Sequence, residues 1–279
     1  MNLIDKKYFL IDYPLGNHGF FSQFNFAMGQ LDFAYSNNLL PIIDWSSSQL
    51  SGGHGNLFEM LFNNKFEIGN ITDENSILCP RAFEFIVKDQ YYVWPVGYPP
   101  RCEKIFRMKE IVKHINFLFN NFFEVKSDVI NDIPIGINDD VKILGVHCRR
   151  SDMGISHPEN VFVKSNEDFY NLSIKVFESG DFDKLYLATE EQEILDYFLE
   201  RMPNKIIYQN CKRIKKGEDT FWDKNFLENG PLVSRQVLID SLSLSKCNSL
   251  LTSISGVTYG SIFFNGLQYE NVYYFDEIK

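Results

Sequence analysis

Apolar positions along this chain alternate between a short-run pattern and a three-to-four spacing. Tyr8 to Asp12 is a short apolar run of strand type, followed by the turn formers Pro14, Gly16, Asn17, His18 and Gly19. Phe24, Ala27, Met28, Leu31, Ala34 and Tyr35 then recur at spacings of three and four, one face of a helix, and Asn37-Asn38 supplies its stop. Leu39 to Asp44 reads as a second strand. Strand, glycine loop, helix, strand is a βαβ unit, which builds parallel sheets with ligands at the carboxyl ends of the strands. The stretch from Ser46 to Asp128 carries no comparable rhythm. Tyr91-Tyr92-Val93-Trp94-Pro95 and Tyr98-Pro99-Pro100 read as loops around a helix from Lys104 to Phe123.

Pro134, Gly136, Asn138 and the paired Asp139-Asp140 form a polar connector, which predicts a domain boundary and two domains, 1–140 and 141–279. Beyond it the alternation is regular. Strands are predicted at Lys142–His147, Lys184–Ala188, Lys205–Tyr208, Ser249–Thr252 and Asn271–Phe275. Helices are predicted near Asn166–Glu178, Glu191–Met202, Leu232–Lys246 and Val257–Phe264. This alternation demands right-handed crossovers and a parallel sheet covered on both faces, so the second half is expected to be Rossmann-like.

Composition narrows the function classes. With 279 residues, 44% hydrophobic and 23% charged, the chain can bury a full core and lies far from the signature of disorder. Lys+Arg 27 against Asp+Glu 37 leaves −10, so the surface as a whole repels nucleic acid and anionic lipid. Any anionic ligand must therefore meet a local cluster of positive charge. Cys79, Cys102, Cys148, Cys211 and Cys247 are odd in number and widely spaced, with no CxxC pair, which predicts free thiols in a reducing compartment and no structural metal. No window approaches the ~20 apolar residues of a membrane span, and no apolar run of signal-peptide length follows Lys6-Lys7. A cytoplasmic protein with at most peripheral membrane contact is the expectation.

The sharpest candidate chemistry is His147-Cys148-Arg149-Arg150-Ser151-Asp152, at the carboxyl end of a predicted strand. Arginine keeps its charge and presents a planar fork of donors that matches phosphate, so a pair there suits a diphosphate. A salt bridge from arginine to Asp152 on a surface loop is the competing reading. Ser255 and Thr258 can bond phosphate through hydroxyls and helix N-terminal amides, or simply cap that helix. Gly16 and Gly19 permit close backbone approach or make a turn with no ligand. Lys212, Arg213, Lys215 and Lys216 share their segment with Glu218 and Asp219 and read as a solvated loop. His18, His54 and His114 are isolated and are given no role.

Ile143 to Asp152 resembles the His-x-Arg-Arg-x-Asp motif of the GDP-fucose-dependent fucosyltransferases, a superfamily that includes α1,6-, nodulation, α1,2- and protein O-fucosyltransferases. Two further blocks agree in order. Leu185-Tyr186-Leu187-Ala188-Thr189-Glu190-Glu191 resembles the strand ending in Ala-Thr-Asp, where an acidic residue faces guanine. Asp240 to Cys247 with Thr252 to Val257 resembles the last motif, whose hydroxyl-rich turn holds pyrophosphate. Gly16 to Gln23, with Ile43-Asp44-Trp45, is similar to the glycine loop and Ile-Asp-Trp strand of the nodulation enzymes. Residues 46–140 carry no match. Glu190 replaces the usual Asp, which leaves Glu190 and Glu191 as rivals for the base contact, each with the alternative of a solvated helix start. His157 stands at the offset from Arg149 where α1,6-fucosyltransferases carry a catalytic carboxylate, so His157 or nearby Glu159 is a candidate base.

The resemblance implies an α/β, GT-B-type architecture: two Rossmann-like domains with parallel sheets facing a cleft, acceptor side first and GDP-sugar side second. It implies an inverting, metal-independent fucosyltransferase that moves fucose from GDP-fucose to a glycan hydroxyl, with no cofactor. Arg149 would stabilise the departing diphosphate, Arg150 would hold phosphate or fix Asp152, and His147 would orient the loop. The donor-binding set is then His147, Arg150, Asp152, Thr189, Glu190, Glu191, Ser255, Thr258, Gly16 and Gly19. A GT-B transferase using another nucleotide sugar, and a non-catalytic GDP-sugar or glycan-binding protein, are the alternatives. Free thiols and an acidic chain point to a bacterial cytoplasmic enzyme of surface-glycan synthesis.

Overall fold

A computed structural model of the chain describes residues 7–12, 19–79, 106, 109–134, 136–137, 141–150, 165–215 and 229–278. The chain divides into two compact units, Met1–Asn131 with Asn225–Arg235, and Asp132–Lys224 with Gln236–Lys279. The return of Asn225–Arg235 to the first unit goes beyond the single boundary expected near residues 131–140. Both units are mixed α/β and each contains a parallel sheet, to which the first adds a two-stranded antiparallel pair, Phe62–Asn64 with Phe123–Val125.

In the first unit, strand β1 (Tyr8–Asp12) leads to helix α1 (Phe20–Ser36) and strand β2 (Leu40–Asp44), as the pattern predicts. β1 and β2 pair in parallel from Tyr8↔Leu40 to Asp12↔Asp44. Pro41 is tolerated because β2 is an edge strand. Helix α1 ends at the predicted asparagines: Asn37 donates Nδ2–H to the Phe33 carbonyl at 2.8 Å, and Asn38 turns the chain at φ 53°. The stretch without rhythm holds helix α2 (Leu57–Leu61), strands β3 (Phe62–Asn64) and β4 (Ser76–Leu78), helix α3 (Lys109–Phe122), strand β5 (Phe123–Val125) and helix α4 (Ser127–Asn131). The start of the predicted 104–123 helix and the aromatic loops of 91–100 fall outside the described residues.

This stretch supplies much of the first unit's core. Phe58 stacks on Phe62 at 4.6 Å between ring centroids, and Phe123 and Trp45 meet Phe58 edge-on at 4.9 Å and 5.2 Å. Phe24 of α1 joins them through Phe62 at 5.8 Å and Phe119 at 5.9 Å. Offset and edge-to-face rings add about 0.5–1.5 kcal/mol per pair to ordinary burial. A core built from aromatic clusters on short elements leaves little periodicity to read.

In the second unit the alternation is reproduced. Strand β6 (Ile143–Cys148), helix α5 (Asn166–Ser179), strand β7 (Lys184–Thr189), helix α6 (Gln192–Arg201), strand β8 (Ile206–Ile207), helix α7 (Gly230–Ser245), strand β9 (Ser249–Thr252), helix α8 (Gly256–Asn265) and strand β10 (Asn271–Tyr274) follow in order. Helix α7 carries residues of both units. The sheet is parallel throughout, in the order β10-β9-β6-β7-β8. Every residue of β6 is buried, as a central parallel strand covered on both faces requires. Strand order reverses between β6 and β9, and such a switch point opens a crevice at the carboxyl ends. His147 lies in register with Ala188 and Thr252 at that edge.

Two glycines give opposite expectations. A Cβ at Gly230 would stand 2.3 Å from the Leu50 carbonyl oxygen, a backbone atom that cannot step aside, so Gly230→Ala is expected to cost about 1–3 kcal/mol or more. Gly19, at the N-cap of α1, has φ −64° and open space around its Cβ direction. Gly19→Ala is expected to leave stability nearly unchanged, since a weaker cap and a less floppy unfolded chain offset. Urea unfolding of both variants checks this, and equal midpoints would contradict the packing at Gly230.

Candidate functional site

The candidate residues of the second unit gather at the carboxyl edge of its sheet. His147 and Cys148 end β6 and are buried, and Arg149 and Arg150 follow, half-buried. Arg150 donates from its Nη2 to Glu191 Oε2 at 2.5 Å and to Asn166 Oδ1 at 3.0 Å. It is thus braced between the β7 turn and the start of α5. Arg149 Nε lies 4.0 Å from Glu190 Oε1. Each arginine therefore faces one of the two rival glutamates.

The Glu190-Glu191 turn is itself held in place. Thr189 is buried, and its Oγ1 accepts the Glu191 N–H at 3.2 Å, so the hydroxyl serves the turn. Ile214 donates its N–H to the Glu190 carbonyl at 2.8 Å and accepts the Gln192 N–H at 2.9 Å. Glu191 Oε1 is buried without a hydrogen-bond partner among the described residues. A buried carboxylate oxygen left unmatched is costly, and an incoming N–H donor would relieve that cost.

On the other flank, three hydroxyls converge on His147. Thr252 Oγ1 and Ser255 Oγ lie 3.4 Å and Thr258 Oγ1 3.5 Å from its Nδ1. Ser255 Oγ accepts the Thr258 N–H at 3.1 Å, the N-cap bond of α8. Thr252 and Thr258 both donate to the Ser253 carbonyl, at 2.9 Å and 2.7 Å. Thr258 is fully buried, so its side chain stabilises this turn from within, while Ser255 is partly exposed. His147 thus ties β6 to the hydroxyl turn.

Burial first, and the Arg149 charge second, depress the His147 pKa from 6.5 to about 3. The imidazole is neutral at physiological pH. Behind the site, Tyr186 donates its hydroxyl to Asp240 Oδ1 at 2.6 Å. Burial raises the Asp240 pKa to about 6 against the opposing pull of that hydrogen bond and of Arg213. Among the described residues no group of three or more His, Cys, Asp or Glu could hold a metal ion, and no helix is long and apolar enough to cross a membrane.

One expectation changes and several residues fall elsewhere. The basic segment read as a solvated loop has exposed Lys212 and Lys215, but Arg213 is buried, with three hydrogen bonds to main-chain carbonyls. Only its guanidinium can bridge those carbonyls, which a charge count along the sequence does not show. Gly19 stands at the N-cap of α1 in extended backbone, with open space around its Cβ direction. His114 pairs with Asp32 at 2.6 Å, and His54 is exposed. Gly16, Asp152, His157 and Glu159 lie outside the described residues.

Comparison with solved structures adds the fold. The chain aligns with NodZ alpha-1,6-fucosyltransferase soaked with GDP-fucose at a TM-score of 0.53 and 14% identity, over 93% of this chain and 92% of that one. Fucosyltransferase NodZ from Bradyrhizobium gives a TM-score of 0.53 and 14% identity, over 93% of each chain. POFUT1 in complex with GDP-fucose gives 0.54 and 10% identity, over 99% of each. At these identities the likeness is one of fold, the α/β fold of GT-B-type fucosyltransferases. No protein-family model matches the chain, and no curated protein does.

The two shifted groups act on stability in opposite directions. Unfolded His147 takes up a proton below about pH 6.5, while the folded form resists until about pH 3, so its contribution to stability falls as pH drops through that window. Folded Asp240 takes up its proton near pH 6 and the unfolded form only near 3.8, so its contribution rises on acidification. Between pH 6 and 4, His147→Gln is expected to become more stable relative to wild type, and Asp240→Asn less stable, each by at most about 1.4 kcal/mol per pH unit. Urea unfolding at pH 6, 5 and 4 checks both slopes, and parallel slopes in all three proteins would count against the two environments.

Proposed function

We propose that the chain is a glycosyltransferase whose second unit holds a nucleoside-diphosphate sugar, GDP-fucose in its most specific form, and transfers the sugar to a glycan hydroxyl. The observation that carries this reading is the pair Arg149-Arg150 at the switch-point edge, next to the hydroxyl-capped start of α8. A diphosphate fits that chemistry through the Arg149 guanidinium fork, beside an Arg150 that braces the turn, and through helix N-terminal amides. The shared fold with fucosyltransferases solved with GDP-fucose supports the same reading.

In the proposed reaction an acceptor hydroxyl oxygen bonds to the anomeric carbon from the face opposite the diphosphate. The bond from that carbon to the β-phosphate oxygen breaks, and its electron pair leaves with GDP. The acceptor's proton passes to a base, for which His157 and Glu159 are the candidates. Arg149 stabilises the charge that grows on the diphosphate, so the reaction is read as metal-independent. Arg150 is engaged with Glu191 and Asn166, which favours a role in positioning Glu191 over direct phosphate binding. Of the two rival glutamates, Glu191 has the unmatched buried acceptor, so it is proposed to take the guanine ring N–H or amine.

A donor panel read by nucleotide release tests the reading, with turnover expected from GDP-fucose above other nucleotide sugars. Nucleotide binding without turnover of any donor would favour a binding protein. In titration calorimetry GDP is expected to bind at least about tenfold tighter than UDP, and Glu191→Gln to narrow that ratio. Equal wild-type affinities would remove the guanine assignment.

Arg149→Ala is expected to lower turnover by roughly 10²–10³, or about 2.7–4 kcal/mol, with the circular dichroism spectrum unchanged. Retention of more than about a tenth of wild-type turnover, a loss below ~1.4 kcal/mol, would overturn its role. Arg149→Lys should fail nearly as badly, since a point charge cannot reproduce a planar fork.

A further inference from the structure

Among the described residues, the sheet of the second unit is incomplete along one edge of β7. β8 pairs with it only at Leu185↔Ile206 and Tyr186↔Ile207. Leu187, Ala188 and Thr189, which lead into the Glu190-Glu191 turn, have no strand partner on that side among the described residues. The chain leaves the sheet after β8 and rejoins it at Ile214, which bridges to Glu191. Backbone groups around such a gap still need partners when buried.

One side chain closes the gap. Arg213 is 5% exposed, and its Nε donates to the Thr189 carbonyl of β7 at 3.1 Å. From the same guanidinium, Nη2 donates to the Gln209 carbonyl at 2.6 Å and Nη1 to the Cys211 carbonyl at 3.3 Å. Three carbonyls from the two sides of the gap are thus joined through a single planar fork, which an ammonium group cannot imitate. No carboxylate pairs directly with Arg213 among the described residues. Its charge is felt at a distance by Asp240, which hydrogen-bonds Tyr186 of the same strand.

From Thr189 the connection runs towards the candidate site. The Thr189 hydroxyl accepts the Glu191 N–H, Glu191 holds Arg150, and Arg150 holds Asn166. We propose that Arg213 is a positioning residue for the Glu190-Glu191 turn, substituting for the missing strand pairing and so setting the nucleotide preference of the site. The last step rests on the proposed function, while the positioning itself does not.

The test uses the full chain and has two readouts. In hydrogen–deuterium exchange of Arg213→Lys without nucleotide, peptides covering 187–192 and 209–214 are expected to exchange at least about tenfold faster, with β6 and β9 peptides unchanged. No change, or an equal rise everywhere, overturns the positioning role. In titration calorimetry the variant is expected to lose about tenfold in GDP affinity and much less in UDP affinity. Equal losses, or an unchanged ratio, overturn the link to nucleotide preference. Thr189→Val removes the next bond in the series and is expected to lower the same ratio without touching the guanidinium, so a wild-type ratio there overturns the link even if Arg213→Lys fails to fold. A wild-type protein that does not prefer GDP would reject the proposed function, and exchange would still decide whether Arg213 positions the turn.

Discussion

A central parallel strand covered on both faces has no room for charge along its length. β6 is buried from Ile143 to Cys148, so its backbone is matched by β7 and β9 and its side chains by the cores on either side. The first place where the chain can carry a guanidinium is the residue after the strand ends. Arg149 and Arg150 stand there, and the reversal of strand order beside β6 opens space at the same edge. The location of the candidate site follows from the burial of the strand beneath it.

Charges at such an edge are only half hydrated, and the site's other residues answer that condition. Arg150 is matched by Glu191, Arg149 faces Glu190, and His147 is held neutral by burial and by the neighbouring arginine. The Thr252 and Thr258 hydroxyls donate to the Ser253 carbonyl, and Ser255 bonds the Thr258 hydroxyl and caps the start of α8. Glu191 Oε1 is the exception, a buried acceptor with no partner among the described residues. An edge otherwise well satisfied makes that single atom the more informative.

The first unit is stabilised differently. Its three-stranded sheet is small, and much of its core comes from phenylalanines on α1, α2, α3 and the short strands β3 and β5. Large rings on short elements bury enough area to order a segment without long regular structure. This gives the unit a dense interior and leaves its strand ends, at Asp12 and Asp44, exposed.

The sequence by itself determined the alternation of the second unit, down to the bounds of β9 and to within a residue or two elsewhere, because regular burial leaves a regular apolar period. It also placed Arg149, Arg150 and the Glu190-Glu191 pair at strand ends, since each follows directly on an apolar run. Elements such as β3 and β5 were beyond its reach, because three-residue strands and clustered aromatics carry no period. Pairings between distant residues were equally hidden: Arg150 with Glu191, His147 with the α8 cap, and Arg213 with the carbonyl of Thr189 all depend on which strands become neighbours. Arg213 illustrates the limit best. In the sequence it is one of four basic residues in a charged loop, and only the gap left by a short β8 turns it inward, where three carbonyls replace the water it would otherwise bind.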